Sequence, residues 1–206
     1  MATARIEITV LVSPRARRII DLLGSPAGLL KAVGARFMSY VQESFQRSGQ
    51  HQGFSTPRWA PLAWGTVALR KRGGSAPLQD TGMLKQSYVT ETDGKTYVAV
   101  GTNRTPLAFW HEFGTGTHGT GKGMYIIRPI RAKVLAAELG SGAHGAAEHS
   151  PVSFIASKRP SNWMFFGKEV HHPGVAARPV LPTKEIGERL AQGLIDEFLE
   201  TYSGRS

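Results

Sequence analysis

Cysteine is missing altogether from these 206 residues. Its absence excludes disulfide staples, thiolate zinc sites and thiol nucleophiles together, and it fits assembly in a reducing compartment. Long apolar runs are missing too: no stretch approaches the roughly 20 residues of a membrane-spanning helix. The opening run Arg5-Ile-Glu-Ile-Thr-Val-Leu-Val12 is shorter than the apolar core of a signal peptide, and no small-residue cleavage site follows it. The chain therefore reads as soluble and cytosolic when made, with no membrane partner. Acidic charge is scarce as well, 15 Asp and Glu against 25 Lys and Arg, a net +10.

That excess is uneven. Residues 1–75 hold 11 basic and 3 acidic side chains, whereas residues 183–206 hold 3 and 5. A diffuse basic surface attracts acidic proteins or nucleic acid without reading sequence. Hydrophobic residues at 41% and charged ones at 19% describe a globular chain able to bury a core, read as a single domain over 1–206.

Ile6, Ile8, Val10 and Val12 alternate as in a half-buried strand. A short helix is expected at 15–23, closed by Gly24-Ser25-Pro26. Ser25 as cap and Pro26 at the first helical position then open a helix to about Gln46. In it Leu30, Val33, Phe37, Val41 and Phe45 recur every three or four residues and share one face. Residues 48–76 read as an extended loop with one helical turn at 65–70. Strands are expected at 84–92 and 96–101, joined by a turn at Asp93-Gly94, then a short helix at 106–113 and a strand at 124–130. Residues 138–162, small and aperiodic, read as a mobile insertion. A strand at 163–170 follows. Thr183 caps a last helix whose stripe is Ile186, Leu190, Leu194, Phe198 and Tyr202. The fold class is α+β: an antiparallel or mixed sheet packed against a long helix in the N-terminal half and a C-terminal helix, with long loops.

Motifs that suggest chemistry fail on their details. Gly116-Thr-His-Gly-Thr-Gly121-Lys122 matches seven positions of a phosphate-binding loop, but Gly123 stands where the motif needs Ser or Thr to hold magnesium, and a strand follows where a helix is required. His111-Glu112 starts like a zinc-protease signature, yet Thr115 occupies the second histidine's place. His144, His149, His171 and His172 lack helical pairing. No Gly-x-Ser-x-Gly elbow exists, and nothing in the sequence joins Asp80 to Glu112 as an acid–base pair. The expectation is therefore no enzyme: no catalytic residue, no cofactor and no metal. The tryptophans at 59, 64, 110 and 163 read better as packing or interface anchors than as base-stacking platforms.

Four segments, in order, resemble the virion morphogenesis or tail completion proteins of tailed phages. The first is the amphipathic helix from about Leu29 to Phe45 with Trp59-Ala-Pro-Leu62. The second, Leu78-Gln-Asp80-Thr-Gly82-Met-Leu84-Lys-Gln-Ser87, is similar to that family's Asp-Thr-Gly-x-Leu-x-x-Ser segment. The third joins Val98-Ala-Val-Gly-Thr102 to Pro106-Leu-Ala-Phe-Trp-His111-Glu-Phe-Gly114. The fourth is His172-Pro-Gly174 with Ala177-Arg178-Pro179-Val-Leu181, where the family usually has Phe at position 180.

In physical terms Asp80 is expected to turn the chain through a side-chain hydrogen bond. Phe113 is expected to be a buried aromatic beside Gly114, and Arg178, extended before Pro179, to aim its side chain away from the strand end.

The resemblance implies a structural protein of the head–tail junction, present in the virion and in the host cytoplasm during assembly. It would form a homo-oligomeric ring, expected to be a hexamer. Its partners would be the tail tube, the connector or other neck proteins, with at most non-specific contact with DNA in the channel. Tail-terminator and connector-side positions both stay open. Exposure and composition nominate Trp59, Trp64, Arg70, Lys71, Arg72, Trp110, His118 and Lys122 as interface residues. The alternative function is a basic cytosolic nucleic-acid-binding module, motivated by the N-terminal charge.

Overall fold

In a computed structural model the chain is an α+β protein. The residues described are 5–8, isolated positions between 14 and 24, 26–70, 74–119, 123–131, 133, 135–138 and 163–203. Five helices are described: α1 (Pro26–Gln46), α2 (Trp64–Ala68), α3 (Met83–Gln86), α4 (Thr105–Phe113) and α5 (Lys184–Ser203). The strands are β1 (Arg5–Ile8), β2 (Tyr88–Thr92), β3 (Val98–Thr102), β4 (Tyr125–Ile127), β5 (Leu135–Glu138), β6 (Trp163–Gly167) and β7 (Val170–His172). The expected insertion at 138–162 lies almost wholly outside the described residues, as do Ser25, Lys71, Arg72 and Lys122. Of the helix expected at 15–23, Arg17, Arg18 and Asp21 are described and are helical.

The main sheet has the order β1-β3-β2, antiparallel throughout, with Ile6 opposite Val100 and Tyr88 opposite Thr102. β2 and β3 are joined by the expected Asp93 turn. The Asp93 carboxylate accepts backbone N–H from Lys95, Thr96 and Tyr97 at 2.8–3.1 Å. The Thr96 hydroxyl first, and then these backbone donors, hold its pKa well below the usual carboxylate range.

α1 packs between this sheet and α5. Its stripe Leu30, Val33, Phe37, Val41 and Phe45 is buried as expected, joined by Leu29 and Tyr40. Gly34 belongs to the same face: a Cβ there would lie 2.9 Å from Val98 Cγ2, so glycine lets the helix approach the sheet. On α5 the deepest residues are Ala191 and Ile195, while Leu190, Leu194 and Phe198 pack at the margin. The buried stripe is thus turned slightly from the one read in the sequence.

Several expectations need correcting. The strand expected from Leu84 begins only at Tyr88, because residues 83–86 form a helical turn closed by the Ser87 hydroxyl on Leu84 O at 2.7 Å. The strand expected at 163–170 is two strands broken at Lys168 and Glu169. β6 pairs with β5, a strand not anticipated, and β7 pairs with β4. The buried aromatic expected at Phe113 is instead exposed. Asp80 makes no turn bond: Met83 N–H goes to Thr81 Oγ1, and Asp80 Oδ1 is buried without a partner.

Candidate functional site

Arg178 organises the region where residues 59–62, the helix 105–113 and the strap before the last helix meet. Its side chain does not aim away from the strand end as expected but is buried and turns into the protein. Its guanidinium donates to Ala60 O through Nε (3.2 Å) and Nη2 (3.1 Å), and to Pro61 O and Ala176 O at 3.4 Å. Its backbone N–H donates to His111 O at 2.5 Å. Two residues on, Val180 N–H donates to the Glu112 carboxylate at 2.9 Å. Burial pushes the pKa of Glu112 up, and the N–H groups of Val180 and Leu181 pull it back. The pre-helical strap 173–182 is thereby stitched to α4 on one side and to residues 59–61 on the other.

Two nominated interface residues are internal for related reasons. Trp59 is 4% exposed, set edge-on against Phe45, with its indole N–H donated to Pro179 O at 3.0 Å. Arg70 is 7% exposed, and its Nη1 bonds Gly74 O and Ala76 O at 3.1 and 2.7 Å, bracing the loop that follows α2. Neither can face a partner in this conformation. Trp64 is half-buried, whereas Trp110 and His118 are exposed.

Arg70, Arg178 and Arg104 line an open pocket of about 480 Å³ together with Asp80, His111, Leu62 and Leu69 on either side of α2, Leu84 of α3 and Leu107 of α4. Burial, and after it the positive charge of Arg178, pushes the His111 imidazole down to about 4, so it is neutral at pH 7. The unfolded chain protonates its histidines near pH 6.5. A histidine depressed on folding gives stability that is present above that pH and lost as pH falls toward 4. Discounted for the water reaching the ring, the loss is about 1–2 kcal/mol. His51, also depressed by burial, acts with the same sign, and Glu112 acts against it. Urea unfolding between pH 7 and 4.5 should therefore show a shallower loss for His111→Gln than for the wild type. Identical pH profiles would contradict this assignment of His111.

One constellation has the outline of a catalytic triad. Ser44 Oγ lies 3.0 Å from His51 Nε2, and His51 Nδ1 lies 3.4 Å from Glu43 Oε2, within ion-pair range but out of line for a hydrogen bond. Ser44 is 0% exposed, and its hydroxyl also reaches Val180 O at 3.0 Å and Tyr40 O at 3.2 Å. Tyr40 stacks flat on the imidazole at 3.5 Å. No acyl group can reach that oxygen, so the cluster locks α1 to the 48–56 turn and to the strap. Among the described residues no group of three or more His, Asp or Glu side chains is placed to hold a metal.

The surface feature with the greatest reach is apolar. On α4, Phe109, Trp110 and Phe113 stand open to solvent, the two phenyl rings 4.8 Å apart. Tyr125, Ile126 and Ile127 of β4 are exposed on both faces of the β4–β7 ribbon, flanked by Met124 and by Ile130, which is 98% exposed. Ribbon and helix are fastened together. Gly116 N–H donates to the Tyr125 hydroxyl (3.2 Å), Thr117 N–H to Pro173 O (2.7 Å) and Thr115 N–H to Val175 O (2.9 Å). The sequence carried a signal for this face: α4 is apolar nearly all round, which requires burial on more than one side. No family model, curated protein or solved structure matches this chain, and no helix among the described residues is long and apolar enough to cross a membrane.

Proposed function

We propose that this chain is a structural subunit of a tailed phage that completes the tail or neck and joins tail to head by binding alone. The observation that supports the reading is the exposed apolar face of α4 and the β4–β7 ribbon. A two-stranded ribbon has no core of its own and is marginal in water, and contiguous apolar surface of this kind marks a protein interface. Three of the four segments, at 59–62, 106–114 and 172–181, converge on Arg178 and Glu112 and support it further, since together they brace the elements that present the face.

The working form on this reading is a homo-oligomeric ring, expected to be a hexamer, in contact with the tail tube, connector or other neck proteins. Two of the chain's arginines, Arg70 and Arg178, are committed to backbone carbonyls inside the fold. They are withdrawn from any surface that would hold DNA, which leaves at most non-specific contact with DNA in the channel.

Deleting the gene from its phage tests the reading. Capsid assembly and packaging should proceed, separate heads and tails should accumulate, and infectivity should vanish. Overlong tails would place the ring on the tail tube, and normal tails with leaking heads would place it on the connector. Joined, infectious particles at normal yield without this protein would end the proposal.

A further inference from the structure

We propose that the apolar face of α4 and the β4–β7 ribbon binds the outer, acidic face of α5 on a second copy of this chain, so that subunits join head to tail. The inference rests on reading that face as an assembly surface. It adds the partner, and it does not depend on the phage.

Charge selects the partner. Arg104, Arg131 and Lys133 are exposed around the face, whereas Arg128 is spent in a 2.6 Å ion pair with Glu169 of the same ribbon. The only acidic residue between positions 104 and 133 is Glu112, whose carboxylate is turned inward to Val180. Two such faces pressed together would bring like charges into register, which disfavours symmetric pairing. The helix Lys184–Ser203 has the opposite balance, five acidic side chains against Lys184 and Arg189. Glu185, Glu188 and Glu200 are exposed on it, whereas Glu197 pairs with Arg36 of its own α1. Its inner side is packed on α1 of its own chain, so its outer side is what remains for another molecule.

Gly193 gives a second, independent reason. It sits in the middle of α5, exposed, and a Cβ built there would meet nothing within 4 Å. Packing within the chain therefore does not require glycine, although glycine weakens a helix interior. A bare patch of backbone between acidic side chains suits the close approach of a flat aromatic side chain such as Trp110. Because the two surfaces differ, each subunit keeps one of each free after pairing, and the contact propagates until it closes.

Sedimentation velocity of the purified full chain across a concentration series, at low and high salt, reads this directly. The wild type should self-associate, less at high salt. Trp110→Glu and Gly193→Gln should each weaken association by about tenfold or more with wild-type circular dichroism and no loss of melting temperature, Gly193→Gln melting slightly higher because glutamine favours the helix. Phe109→Ser repeats the first test should Trp110→Glu alter the fold. An equimolar mixture of Trp110→Glu and Gly193→Gln retains one intact copy of each surface and should form a dimer that grows no further.

A chain that is monomeric at every concentration overturns the proposal, as does wild-type association in Trp110→Glu or Gly193→Gln, or a mixture that forms no dimer. A monomeric chain that still restores joining to the deletion phage would overturn this inference alone and leave the proposed function standing.

Discussion

Phe37→Asp is expected to abolish folding, while Arg36→Asp, one residue earlier, leaves the protein within about 1 kcal/mol of wild type. The two positions lie about 100° apart around α1, Phe37 facing the core and Arg36 facing solvent. Phe37 is 2% exposed at the centre of the core that unites α1, the main sheet, the strap and α5. Removing a buried phenyl group costs about 3–5 kcal/mol through lost contacts and the cavity left behind. A carboxylate put in its place adds the penalty of a buried, unpaired charge. Together these approach the whole stability of an ordinary domain, about 5–15 kcal/mol.

Arg36 instead points outward to a 3.0 Å ion pair with Glu197 between two solvent-exposed side chains. Such pairs contribute about 0–1 kcal/mol. Soluble expression, circular dichroism and urea unfolding of both variants check the contrast. A Phe37→Asp protein that melts with the wild type would mean that α1 does not bury this face.

The long helices were legible because their signal is local. Five large side chains at intervals of three and four residues, opened by Pro26, need no tertiary information to place α1. Asp93-Gly94 likewise announced the β2–β3 turn. Trp59, Arg70 and Arg178 were not legible as interior residues, because their burial depends on distant partners: Arg178 finds its acceptors at residues 60 and 61, and Trp59 finds Pro179. An arginine or tryptophan in a Pro-rich loop reads as surface until the carbonyl that receives its N–H is known. The same limit hid Ser44 and His51, which share a hydrogen bond across a helix end. It also hid β5, whose Leu-Ala-Ala-Glu sequence has little strand character and owes its form to pairing with β6. The exposed face failed in the opposite direction. Phe113 reads as core by its chemistry, and only its position at the outer end of α4 shows that one chain does not supply the cover.

Gly174→Ala is expected to cost about 2–4 kcal/mol and to disable assembly as well, because it strikes where the strap crosses the loop after α4. Gly174 has φ +103°, a backbone state closed to most side chains, and its virtual Cβ would sit 2.1 Å from Thr115 O and 2.8 Å from Gly116 Cα. The obstruction is backbone on both counts, so no rotamer change relieves it. The crossing is tight because Thr115 N–H reaches Val175 O, Thr117 N–H and its hydroxyl both reach Pro173 O, and Val175 N–H returns to Thr115 Oγ1 at 2.9 Å. Prising the two segments apart breaks these bonds and frees the β4–β7 ribbon from α4, although the core around α1 is remote from the change. Gly174→Ala should therefore keep most of its helical circular dichroism, unfold at lower urea, and lose self-association in step with Trp110→Glu. Gly123→Ala, a control that also has positive φ but has open space around its Cβ, should cost no more than about 1–2 kcal/mol from backbone strain. Equal losses for the two variants would show that strain alone, and not the crossing, sets the requirement for glycine at position 174.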